Sequence, residues 1–143
     1  MKKLISVKWA GNLLLISFGL LPIFDILILL NILPADIVWG GQIKDSATKL
    51  ILETLALFVT FVFAVIVAAK IDYIKVQKFK KAINIGVWVI FAYLILNTIG
   101  NLASGVSFEN LIFAPITAAL AFCALRLAIE KQADVPLVNE TLP

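Results

Sequence analysis

Apolar residues gather along this chain into four long runs, at residues 9–33, 50–69, 82–100 and 108–129, parted by short polar stretches. A helix rises about 1.5 Å per residue, so about 20 residues cross the roughly 30 Å hydrocarbon core of a bilayer. Each run is long enough. The pattern predicts an all-α fold, an integral membrane four-helix bundle, with residues 1–143 forming a single transmembrane domain. The first run, 25 residues from Trp9 to Leu33, leaves room for tilt or for a kink at Pro22, which would free a backbone carbonyl near Phe18. Lys2, Lys3 and Lys8 ahead of an apolar run also suit a secretory signal, but a signal's apolar region spans about 7–15 residues. Leu33, Pro34 and Ala35 also lack the small residue that a cleavage site needs at its first position. The expectation is a retained first span.

The joints carry their own signals. Between the first two runs, Trp39 suits the head-group level, Gly40 and Gly41 permit a turn, and Asp45 or Ser46 can cap the second helix. Residues 101–107 read as a short polar turn, and residues 130–143 as a flexible tail. Residues 70–81 hold five of the twelve basic side chains, offset by Asp72. Short basic connections stay on the cytoplasmic face. With both termini inside, ten basic residues lie inside (Lys2, Lys3, Lys8, Lys70, Lys75, Lys78, Lys80, Lys81, Arg126 and Lys131) and two, Lys44 and Lys49, lie outside. The expected layout is N-in/C-in.

Composition agrees with a lipid environment. The hydrophobic fraction is 62 % and the mean hydropathy +1.07, more apolar surface than a chain of 143 residues can hide in its own core. The net charge of +3 is split between the chain ends and the central loop, which suits anionic membrane lipid and not a nucleic acid. There is no histidine, and Cys123 is the sole cysteine, so His-based zinc sites and Ser–His or Cys–His pairs cannot be built within the chain. No cofactor is implied. Carboxylates, lysine and tyrosine remain for proton chemistry.

Helix faces follow from spacings of three and four. Glu53, Ala56, Thr60, Ala64 and Ala68 share a stripe on the second span; Gly86, Tyr93, Asn97 and Gly100 share one on the third. On the fourth, Ala114, Thr117, Ala118, Ala121, Ala124 and Ala128 form a small-residue face, with Cys123 roughly opposite. Such faces let helices pack closely. Run direction then sets depth: Asp25, Glu53, Tyr93, Asn97 and Thr117 all fall in the outer half, while the inner half is nearly uniformly apolar. An ionisable residue deep in a bilayer costs about 2.5–3.5 kcal/mol on insertion scales, so these five form the candidate binding site. Plainer readings stand beside this one. Glu53 can pair with Lys49, Asn97 can bond across helices, Arg126 can snorkel beside Glu130, and Asp25 can sit protonated or amide-bonded in a packed bundle.

Taken together, Val38, Trp39, Gly40 and Gly41, then Glu53, the run Leu96, Asn97, Thr98, Ile99, Gly100 and Asn101, then Pro115, Ile116 and Thr117, and Arg126, Leu127 and Ala128 give a pattern that resembles small four-span bacterial membrane proteins of unassigned activity. The resemblance implies a multi-pass protein of the inner (cytoplasmic) membrane and brings no catalytic residues. Three functions fit. The first is binding or transport of a small amphiphilic or cationic ligand, or of protons, in an outer-half cavity. The second is assembly, with small-residue faces docking a membrane-protein partner or a second copy as a homo-oligomer. The third is a lipid-directed membrane enzyme using Asp25 or Glu53, which two carboxylates without histidine, metal motif or nucleophile support least.

Overall fold

Helix ends in this chain are set by side chains that supply or remove backbone partners. A computed structural model describes residues 5–76 and 78–130, and all the regular structure among them is helical. Lys2, Lys3 and Lys131 of the charge count, and the expected tail beyond Glu130, lie outside the described residues. Helix α1 spans Val7–Leu29 and opens with Ser6 accepting a hydrogen bond from the Trp9 amide. It passes through Pro22 unbroken and stops four residues short of the expected end. The cause is Asn31, whose backbone is left-handed (φ 58°). Its amide donates to the Ile28 carbonyl and the next amide, of Ile32, donates to Leu27, which satisfies the last carbonyls of the helix.

Helix α2, Ser46–Lys70, ends the same way. Asp72 is left-handed at φ 65°, its amide donates to Ala69, and Tyr73 donates to Ala68. At the other end, of the two expected caps, Asp45 is the one used: its carboxylate accepts from the Thr48 amide at 2.8 Å and the Thr48 hydroxyl at 2.6 Å. Those bonds hold the Asp45 carboxyl below its ordinary range, so its contribution is complete above about pH 4 and is lost as pH falls through the lowered value.

Helix α3 covers Lys80–Ala103, so Asn101 is helical and not part of the expected turn. Glycine at 100 does not end the helix, because an isolated glycine weakens a helix without blocking its hydrogen bonds. A π-helical turn, Glu109–Phe113, then leads into α4, Ala114–Ala128, with the Ala114 amide reaching back five residues to the Glu109 carbonyl.

The four helices pack in a ring, each against its sequence neighbours, with α4 closing on α1. All four, counting 109–128 as one rod, are long and apolar enough to cross a membrane. Their outward faces carry Ile51, Phe58, Phe61, Leu96 and Leu111 at 66–72 % exposure, a surface suited to lipid tails and not to water. We call the end holding the α1–α2 and α3–α4 connections the strap end, after the short segment Trp39–Gly41 that crosses it, and the other the basic end.

The tight core lies toward the basic end. Leu14, Val67, Val87, Ile90 and Leu127 are essentially without exposure there. Gly11 lets α1 approach the end of α2 so closely that an added Cβ would lie 2.5 Å from Ile71 Cγ2. On α3 the buried positions are Ile83, Val87, Ile90 and Leu94, one helical face. The expected small-residue faces are only partly used. Gly100 and Ala118 are exposed, Tyr93 is 41 % exposed, and Cys123 is buried with Ala121 and Ala124 instead of lying opposite them. Helix α4 is covered on more than one side by α3 and α1, which is why its burial exceeds a single stripe.

The basic end is not uniformly apolar. Lys70 and Arg126 are buried, at 3 % and 4 % exposure. Lys70 donates to Asn84 Oδ1 at 2.7 Å and to the Glu130 carbonyl at 2.6 Å. Arg126 donates to the Ile5 carbonyl at 3.0 Å and, as its spacing predicts, to the Glu130 carboxylate at 2.9 Å. These bonds clip the start of α1 and the ends of α2 and α4 together, with the first turn of α3 held through Asn84.

Candidate functional site

Toward the strap end the ring opens into a chamber of about 440 Å3. All five residues singled out by depth, Asp25, Glu53, Tyr93, Asn97 and Thr117, contribute to its wall. Each comes from a different turn of four helices that run alternately up and down, so equal depth brings them level. Phe18, Phe63 and Leu120 floor the chamber, adjoining the tight core. Its sides are aromatic. Phe24 meets Phe113 edge-on at 5.3 Å between ring centres, and Phe63 meets Tyr93 edge-on at 5.1 Å. Among the described residues, Asp25, Glu53 and Glu109 are the charged members of the wall, with neither lysine nor arginine beside them.

The polar groups differ in what they have left to offer. Asp25 and Glu53 face each other within hydrogen-bonding reach. Glu53, 1 % exposed, accepts from the Trp39 indole Nε1 at 2.9 Å, and the Lys49 ammonium donates to Asn31 Oδ1. Lys49 still acts on Glu53 electrostatically across one helical turn, as the spacing predicts, while both side chains take their hydrogen-bond partners from the α1–α2 connection. The Thr117 hydroxyl donates to the Phe113 carbonyl at 2.8 Å, satisfying a group of the π-helical turn, and accepts from Thr98 at 3.0 Å. It is committed to the fold. The Asn97 amide has no protein hydrogen bond among the described residues and stands open to the chamber.

Three features escape a reading by depth alone. The first is Glu109, 6 % exposed, which accepts from the Gly40 amide at 3.0 Å and from the Ser104 hydroxyl. The second is Trp39, which does more than sit at a head-group boundary: it forms part of the chamber wall. The third is the backbone around it. Trp39, Gly40 and Gly41 are all left-handed, at φ 55°, 64° and 69°. Glycine adopts this freely, but a tryptophan there is strained by about 1–3 kcal/mol. Two buried carboxylates from two helices therefore hold this three-residue strap in place, Glu53 through the indole and Glu109 through the Gly40 amide.

Family models, curated proteins and solved structures yield no match to this chain. No activity is carried over from a relative. A second, more open cavity of about 540 Å3 runs along the exposed face of α3, lined by Tyr93, Leu96, Gly100 and Ser104 with Gly40 and Gln42 of the α1–α2 connection. Trp39, Tyr93, Asn97, Asn101 and Glu109 belong to both walls, so the two cavities adjoin at these side chains. No group of three or more metal-binding side chains occurs among the described residues.

Proposed function

We propose that this protein is a multi-pass membrane protein of the cytoplasmic membrane that binds a small amphiphilic cation in the chamber, as a binding or transport component. The observation that carries the reading is the wall itself: three carboxylates and an open amide set into aromatic and aliphatic side chains, with no fixed cation among them. A volume of about 440 Å3 falls within the range of about 300–1,000 Å3 usual for small-molecule sites. Aromatic faces attract cations and take up apolar tails, and buried carboxylates supply the charge partner.

Asp25→Asn keeps the shape and removes the charge. In purified protein, n-octylammonium at about 100 times its Kd is expected to stabilise the wild type by about 2.7 kcal/mol. Asp25→Asn is expected to fold at least as stably without ligand, because a charge no longer has to be desolvated, and to lose most of that stabilisation. Equal stabilisation of both proteins would overturn the reading.

The proposed orientation puts the basic end and both termini in the cytoplasm, supported by the ten-to-two division of basic residues. Cysteines introduced at Lys44 and Lys78 in a Cys123→Ala background should differ accordingly. The first is expected to react with an impermeant reagent in intact cells, and the second after lysis. The reverse order would invert the layout.

A further inference from the structure

One oxygen of Glu53, Oε1, is already taken by a donor at 2.9 Å. Its donor is Trp39, a residue of the strap that lines both cavities. A ligand that takes up this oxygen must displace the indole N–H. A buried carboxylate that loses a donor without replacement is strongly disfavoured. Displacement is favourable when the incoming group brings N–H bonds of its own. Resting on the cation-binding reading above, we propose that the chamber selects primary ammonium heads over quaternary ones, and that such a head replaces the Trp39 indole at Glu53, freeing one of the two attachments of the strap.

The donor arithmetic supports the choice of head. A primary ammonium has three N–H bonds, and the chamber offers acceptors on Asp25, Glu53 and Asn97, the ammonium entering between the two carboxyls that otherwise face each other. A trimethylammonium head has the same charge and favours the same aromatic walls, yet has nothing to give Glu53. Strain points the same way: Trp39 is the strap residue whose left-handed backbone is costly, so loss of the indole bond lets that residue relax. Glu109 continues to hold the Gly40 amide, so the strap pivots at one fixed point while its other end is let go.

Trp9→Phe and Trp88→Phe leave Trp39 as the single tryptophan, and its emission then reports the exchange. In nanodiscs of zwitterionic lipid, n-octylammonium is expected to shift that emission saturably, at a half-saturating concentration at least about tenfold below that of n-octyltrimethylammonium. Glu53→Gln, followed by thermal shift, is expected to bring the two probes within about twofold of each other. Trp39→Phe removes the competitor, so n-octylammonium should bind it several-fold more tightly than it binds the wild type. If both probes stabilise the wild type equally and leave Trp39 emission unmoved, the exchange is wrong while the cation-binding chamber stands. If neither probe stabilises the wild type, both ideas fail.

Discussion

Arg126→Leu is expected to destabilise the folded protein by about 3 kcal/mol, among the largest single-residue effects available in this molecule. Arg126 is 4 % exposed, and leucine fills much of its volume without replacing what it donates. The Ile5 carbonyl and one Glu130 oxygen would each lose a donor, now 3.0 Å and 2.9 Å away. Glu130 is one-third exposed and recovers part of its loss from water, which holds the expected cost near the middle of the range for broken buried pairs. Arg126→Lys keeps the charge but not the two-directional fork, so it should fall between the two. Unfolding in mixed micelles with increasing fractions of a denaturing detergent measures the difference. A loss below about 1 kcal/mol would mean that the clip at the basic end is an incidental contact.

Glu109→Ala should release the strap. It removes acceptors for the Gly40 amide and the Ser104 hydroxyl in a site 6 % exposed, and charge-assisted bonds of this kind contribute about 1.5–3 kcal/mol each. About 3 kcal/mol of local stability corresponds to roughly a hundredfold faster amide exchange. The faster exchange is expected at residues 35–43, with the amides of α3 unaffected. Glu109→Gln retains one carbonyl acceptor and should give about half the effect in free energy. Unchanged exchange at Gly40 in the alanine variant would show that Glu53 alone holds the strap.

Depth and direction explain why most of the chamber is legible in the sequence. A span that enters from a known side places each residue at a calculable level, so Asp25, Glu53, Tyr93, Asn97 and Thr117 can be brought together without any contact being known. Partners are another matter. Glu109 stands at the edge of the fourth apolar run, where a charge is unremarkable, and the amide that needs it is 69 residues away. The available hint is Gly40 and Gly41, two residues suited to a turn beside an aromatic, which signal unusual backbone without naming its anchor. Lys70 misleads for the opposite reason. It opens the basic stretch and counts with the loop, yet Asn84 and the Glu130 carbonyl draw it inside. The end of α1 fails on local grounds: every residue from 26 to 33 except Asn31 is apolar, and one left-handed asparagine outweighs the run.

Packing at the basic end has a thermodynamic consequence. With Leu14, Val67, Val87 and Leu127 closed over one another and the Lys70 and Arg126 clip behind them, the floor of the chamber is a wall. The chamber therefore has no opening through the basic end in this conformation. On the proposed reading, occupancy is set from the strap end and from the lipid-facing sides, where Leu20 and Ile116 line the wall, and is blind to concentration beyond the basic end.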